Sequence, residues 1–265
     1  MIEKKYSAAD FFSFRAGVFD FDGTVNLLTE GWQSVMQELF EEILFKYVSF
    51  SETEAENRKK IIARFIFEMT GKPSLFQCLR MTEELENCGG PQIKAEELKD
   101  EFSRRLQKRF TERERAIQEG RVSADEHMVP GARRFLETLH EHGLCLLLVS
   151  GTEDEIVQRQ CRLLNLEHFF EGGVFGAPGD TKKFTKQSII QDFLTRFNFK
   201  PSEIAGFGDG FVETQFVHDI GGFAVGMATR EHERDGKINE WKKSQLLEVG
   251  ADLIVPDFNA FFLKE

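Results

Sequence analysis

A chain of 265 residues, 41% hydrophobic and 30% charged, has room for one large domain or two smaller ones around a well-buried core. Its formal net charge of -11 argues against a general nucleic-acid partner, because phosphate backbones attract basic surfaces, although one pocket can still be locally positive for a small anion. No apolar run approaches the length of a membrane helix, and the opening MIEKKYSAAD lacks the apolar core of a secretory signal, so a cytoplasmic protein without a membrane partner is expected.

The first element in chain order is the apolar run Gly17–Phe21, read as a strand. It ends in Val18-Phe19-Asp20-Phe21-Asp22-Gly23-Thr24, which sets two carboxylates one residue apart. Residues two apart on a strand point to the same side. Asp20 and Asp22 are therefore expected to project together from the strand's C-terminal end, with Phe19 and Phe21 turned into apolar packing. Carboxylates this close repel unless a proton or a cation neutralises one of them. Gly23 and Thr24 then turn the chain and are expected to leave backbone N–H groups free for an anion. A plain strand-end turn capped by Asp is the alternative.

From Leu27 to Glu126 no strand signal follows. Trp32, Val35, Met36, Leu39, Phe40, Ile43, Leu44 and Tyr47 form one apolar stripe at helical spacing. Ile61, Ile62, Phe65 and Met69 form a second, and Leu98, Phe102, Leu106 and Phe110 a third. Gly71-Lys72-Pro73 and Cys88-Gly89-Gly90-Pro91 punctuate them. The reading is an inserted helical domain over residues 27–126, hinged near Asn26–Gly31 and His127–Gly131. Within it, Thr70 to Gln77 is the most loop-like polar stretch, and Lys72, Ser74, Gln77 and Arg80 are candidates to touch a substrate. Ordinary residues between helices are the competing reading for all four.

Beyond His127 the pattern alternates between short apolar runs and helices. A helix over Gly131–His142 is framed by Pro130 and Gly143. The strand Leu144–Val149 ends at Ser150-Gly151-Thr152, and Thr152 with Glu155 reads as a capping box opening the next helix. A helix start there would suit phosphate, with the Ser150 hydroxyl beside it. Further strands are expected at Gly173–Phe175, Ile204–Phe207, Phe223–Met227 and Asp252–Val255. Thr185 reads as an N-cap, and Lys186 shares the inner helix face with Ile189, Ile190 and Phe193, so its ammonium can reach the strand ends. Lys182 and Lys183 read as solvated. In Gly208-Asp209-Gly210-Phe211-Val212-Glu213, Asp209 ends a strand and Glu213 stands in the first helical turn, so both acids can face one crevice.

This βαβα rhythm implies an α/β fold with a doubly wound parallel sheet. The lack of strict alternation in most strands fits parallel strands covered on both faces. Cys78, Cys88, Cys145 and Cys161 have no paired spacing and read as reduced thiols. The six histidines show no ligand spacing. Taken jointly, Asp20, Asp22, Asp209 and Glu213 converge with Ser150 and Lys186 at strand C-termini. Such acids call for a hard cation, and oxygen ligands favour Mg2+. A metal, a phosphate cradle and two acids support phosphoryl transfer through an aspartyl-phosphate.

These four segments, in this order, resemble the haloacid dehalogenase-like hydrolase superfamily, and the helical insertion resembles the cap of its phosphoglycolate-phosphatase-like branch. The resemblance implies a Rossmann-like core over residues 1–26 and 127–265 beneath a cap over 27–126. It implies Asp20 as nucleophile and Mg2+ ligand. Asp22 would be the general acid/base and would lend its backbone carbonyl to the metal. Ser150, Gly151 and Lys186 would hold the phosphoryl group with Gly23 and Thr24, and Asp209 would bind Mg2+ directly or through water. Many members carry a second Asp where this chain has Glu213, so Glu213 could ligate directly or hold a metal-bound water. The expected activity is a Mg2+-dependent phosphatase acting on a small phosphorylated metabolite, since Asp22 can protonate a leaving alkoxide. A phosphosugar mutase of the same fold and a non-catalytic phospholigand-binding protein are the alternatives. The oligomeric state is left open.

Overall fold

In the computed structural model, residues 6–70, 72–178 and 185–263 are described. Six strands form one all-parallel sheet: β1 (Ala16–Phe19), β2 (Cys145–Glu153), β3 (Gly173–Ala177), β4 (Ile204–Gly208), β5 (Phe223–Met227) and β6 (Leu253–Val255). Their order across the sheet is β3-β2-β1-β4-β5-β6. The connection from β1 leads to β2 on one side, and β4 pairs on its other side. That reversal of direction is where an open α/β sheet forms a crevice at its strand C-termini.

The period of two divides the strands between two apolar layers. Phe19, Leu146, Leu148 and Phe207 pack on one face, with Phe135, Leu136, Phe258 and Phe261. Ala16, Val18, Leu147 and Val149 pack on the other, with Ile190, Phe193 and Leu194. Coverage of both faces explains why the strands read as continuous apolar runs. The expected doubly wound sheet is the observed fold.

Four helices lie between β1 and β2: α1 (Trp32–Tyr47), α2 (Glu52–Glu68), α3 (Ser74–Asn87) and α4 (Ala95–Gln118). They bury their own core, including Met36, Leu39, Phe40, Ile62, Phe65, Met81 and Phe102. Tyr47 and Ile61, expected on the buried stripes, are exposed instead. The chain enters and leaves this helical unit side by side. Leu27 N–H donates to the His127 carbonyl at 2.8 Å, and Val129 N–H donates to the Val25 carbonyl at 3.0 Å. The unit also meets the rest of the fold at a second place, where Phe67 of α2 packs against Phe211 and Trp241, both on helices that flank the sheet.

The remaining helices are α5 (Ala132–Glu141), α6 (Asp154–Leu163), α7 (Lys186–Phe197), α8 (Phe211–Asp219) and α9 (Glu240–Glu248). One local expectation fails. Strand β2 runs on through Glu153, and α6 starts at Asp154 without a side-chain cap. The capping box at Thr152 and Glu155 does not form, because the Thr152 hydroxyl bonds to Asp22 instead. No helix among the described residues is long and apolar enough to cross a membrane.

Candidate active site

Asp20 follows β1 directly, and its N–H continues the ladder by donating to the Phe207 carbonyl. The residue is 4% exposed. Oδ1 accepts the Phe21 N–H at 2.8 Å and lies 2.7 Å from Lys186 Nζ. Lys186 is the first residue of α7, which Thr185 caps by accepting the Ser188 N–H. Its ammonium is buried and also donates to Glu213 Oε2 at 2.9 Å. Glu213 stands in the first turn of α8, where its other oxygen accepts the Gly210 N–H at 2.9 Å. One carboxylate thus caps a helix and pairs with a buried cation.

Asp209 closes the group. Asp20, Asp209 and Glu213 each present an oxygen within 4.8 Å of the others, and all three are buried. Asp209 Oδ2 lies 2.7 Å from Lys242 Nζ, which is also 2.6 Å from Glu231. Asp209 Oδ1 is buried with no hydrogen-bond partner among the described residues. Gly23 adopts φ +76°, and a Cβ there would fall 2.3 Å from Asp209 Oδ2. Only glycine lets the turn after β1 come this close to the loop after β4.

Burial raises Asp20 well above the usual carboxylate range; Lys186 opposes the rise, and Glu213 and Asp209 reinforce it. Burial likewise raises Asp209 to about 6, against the pull of Lys242. Glu213 goes the other way. Burial would raise it, but Lys186 and the Gly210 N–H hold it below its ordinary value. Burial would also lower Lys186 and Lys242, yet their carboxylate partners more than offset it and both are raised. Two acids that resist ionisation, beside a charged third and an unpartnered oxygen, suit a further cation. Oxygen donors without nitrogen or sulfur fit a hard divalent ion.

Asp22 lies in the same region but in a different hydrogen-bond shell. Oδ1 accepts from Asn26 Nδ2 at 2.9 Å and from the Thr29 hydroxyl. Oδ2 accepts from the Thr152 hydroxyl at 2.8 Å and the Ser150 hydroxyl at 3.3 Å. Asn26 in turn meets Gln160, which reaches the buried Glu114 of α4. The two acids do not alternate along one strand as expected, because β1 ends at Phe19. They nevertheless border one cavity.

Two expectations about phosphate donors are corrected. Gly23 N–H donates to the Asn26 carbonyl and Thr24 N–H to the Phe21 carbonyl, so the turn consumes both groups itself. The Thr24 hydroxyl, by contrast, is buried with no hydrogen-bond partner among the described residues. Ser150 and Gly151 sit within β2 rather than at a helix start. Ser150 Oγ accepts the Thr152 N–H at 3.0 Å. Lys182 and Lys183 lie outside the described residues.

The cavity has a volume of about 90 Å³ and is bordered by Asp20, Asp22, Ser150 and Lys186. Lys72, Ser74 and Gln77 also line it. Arg80 does not: it pairs with Glu84 at 3.2 Å and lies over the Phe65 ring, within the helical unit. Sequence reasoning missed Lys242, Glu231, Asn26, Thr29 and Thr152. Lys242 had one legible signal, since a cation in the first turn of a helix opposes the macrodipole and calls for another partner.

A family model for haloacid dehalogenase-like hydrolases matches residues 14–221. No curated protein matches the sequence. Among solved structures, a predicted phosphoglycolate phosphatase from Haemophilus somnus superposes with a TM-score of 0.60 at 16% identity, covering 94% of this chain and 97% of that one. A β-phosphoglucomutase from Clostridium difficile gives 0.57 at 17% identity, covering 95% and 93%. A haloacid dehalogenase hydrolase of family IA, variant 3, from Entamoeba histolytica gives 0.56 at 16% identity, covering 92% and 94%. At these identities the structures share the fold.

Proposed function

The chain belongs to the haloacid dehalogenase-like hydrolases, and from that premise we propose that it is a Mg2+-dependent phosphatase acting on a small phosphorylated metabolite through an aspartyl-phosphate at Asp20. The observation that carries this reading is the buried set of Asp20, Asp209 and Glu213 around Lys186, with Asp209 Oδ1 unpartnered. Asp20, Asp209, Glu213 and the Asp22 backbone carbonyl would hold Mg2+, which when bound neutralises charge on a phosphoryl group and orients it.

The chain's own residues do the rest. Lys186 and the Phe21 N–H both engage Asp20 Oδ1, so Oδ2 is the oxygen that attacks phosphorus. As the Oδ2–P bond forms, the bond from phosphorus to the ester oxygen breaks, and the leaving alkoxide takes a proton from Asp22. Water then attacks phosphorus and gives its proton to Asp22. The Oδ2–P bond breaks, and the Asp20 carboxylate and free phosphate result. Four side-chain donors hold the Asp22 carboxylate in place. Ser150 and Lys186 steady the phosphoryl oxygens.

Residues 27–126 act as a cap over a core of residues 1–26 and 127–265. Their separate apolar core and paired entry and exit segments support that division. The test is a phosphate-release screen over phosphomonoesters with and without Mg2+. Release that needs Mg2+ and is lost in Asp20→Asn is expected. Isomerisation of a sugar phosphate without net release would instead mark a mutase, and tight binding without turnover a binding protein.

A further inference from the structure

Lys242 is a buried cation that the proposed chemistry leaves without a role. It stands in the first turn of α9, where Asn239 Oδ1 accepts its backbone N–H at 3.1 Å. The residue is 6% exposed. Its ammonium lies 2.7 Å from Asp209 Oδ2 and 2.6 Å from Glu231 Oε1. Glu231 belongs to the loop between β5 and α9 and is itself fastened, since Arg234 Nε donates to its carbonyl at 2.9 Å. The ammonium is therefore anchored by its own helix and by a second loop, and not by Asp209 alone.

The two oxygens of Asp209 have unlike surroundings. Oδ2 takes the Lys242 ammonium, and the turn after β1 closes on the same atom: a Cβ at Gly23 would fall 2.3 Å from Oδ2 but 3.1 Å from Oδ1. Oδ1 is buried with no hydrogen-bond partner among the described residues. Mg2+ approaches a ligand oxygen to about 2.0–2.1 Å, closer than a hydrogen-bonded water, so it needs less room there than water does. The other acids are tied as well. Lys186 and the Phe21 N–H engage Asp20 Oδ1, while Lys186 and the Gly210 N–H engage the two oxygens of Glu213.

An ammonium beside a metal ligand weakens the binding of every divalent ion. The charge of Lys242 thus adds no affinity, and charge alone does not discriminate between ions of equal valence. What Lys242 fixes is the number of oxygens that Asp209 offers. Ca2+ takes about six to eight oxygens in flexible geometry and readily uses both oxygens of one carboxylate, whereas Mg2+ demands a compact octahedron. We infer that Lys242 is a positioning residue that holds Asp209 to ligation through Oδ1 alone and so turns the preference of the site from Ca2+ towards Mg2+. This rests on the reading of Asp20, Asp209 and Glu213 as a cation site, and adds the residue that sets which cation it prefers.

Calorimetric titration of the full chain with MgCl2 and with CaCl2, at fixed pH and ionic strength, tests it without turnover. The wild type should bind Mg2+ at least as tightly as Ca2+. In Lys242→Met the ratio of Mg2+ to Ca2+ affinity should fall about tenfold, the low end of what an outer partner of a metal ligand contributes. Both ions are divalent, so the lost positive charge cancels in that ratio. Glu231→Gln is the counterpart: it removes a neighbouring charge but leaves Lys242 on Asp209, so both affinities should fall by a similar factor and the ratio should hold. If Lys242→Met does not fold, the wild-type order and Glu231→Gln decide. A ratio unchanged in Lys242→Met, an equal shift in Glu231→Gln, or tighter Ca2+ than Mg2+ binding by the wild type would overturn the inference while leaving a cation site. Binding of neither ion would overturn the cation site and this inference with it.

Discussion

Acidification should weaken Mg2+ binding, because protons and the cation compete for the same buried carboxylates. Asp209 is raised to about 6 by burial. At about pH 5 a proton occupies roughly ten of every eleven such sites, whereas at about pH 7.5 the site is almost fully ionised. Competition at this one group therefore costs roughly tenfold in apparent affinity, or about 1.4 kcal/mol. Asp20 is raised in the same direction, so tenfold is a floor. The sign for stability follows. A carboxyl raised on folding binds its proton more tightly in the native state, so metal-free protein loses this contribution as pH rises from about 4 through about 6. Added Mg2+ should then raise Tm more at about pH 7.5 than at about pH 5. Calorimetric titration with MgCl2 at both pH values, at constant ionic strength, reads the affinity directly. A dissociation constant that is equal at the two values, or tighter at the lower one, would refute the reasoning.

Three substitutions probe other parts of the site. Gly23→Ala would put a Cβ 2.3 Å from Asp209 Oδ2 at a φ of +76°. It should cost about 1–2 kcal/mol from backbone strain alone and weaken Mg2+ binding further, seen by thermal unfolding and titration. Lys186→Met would leave Asp20 and Glu213 buried without their shared ammonium. Urea unfolding of metal-free protein should show a loss of about 3–5 kcal/mol, and phosphate release should vanish. Thr152→Val removes the donor 2.8 Å from Asp22 Oδ2. Steady-state kinetics should show a fall of roughly tenfold in kcat with KM little changed, as expected when a group acts in the transition state; a change confined to KM would place Thr152 in ground-state binding instead.

What was legible in the sequence is what local patterning encodes. Phe223–Met227 stands as a strand over the expected residues, and Ile204 and Gly173 begin strands where expected. Thr185 caps α7 as its residue type suggests. The errors occur where a distant partner wins over a near one. Thr152 is a good N-cap residue, but its hydroxyl bonds to Asp22, which is 130 positions away. The chain stays extended, and Glu153 pairs with Ala177 of β3. The run to Phe21 looked like continuous strand, yet the Phe21 carbonyl accepts the N–H groups of Thr24, Val25 and Asn26, which bends the chain after Phe19. Arg80 looked free for a ligand, but Glu84 lies one helical turn further on α3 and takes it. The pairing of Lys242 with Asp209 spans 33 positions; the sequence offers only the oddity of a cation at a helix start.

The most direct measurement concerns Asp20 itself. Enzyme turning over a phosphomonoester with Mg2+ is quenched and treated with borohydride, which reduces an acyl phosphate to the alcohol. Peptide mass spectrometry then reads position 20. Conversion of Asp20 to homoserine, absent without substrate and without Mg2+, is the predicted result. Steady phosphate release with Asp20 unmodified under the same quench would contradict it.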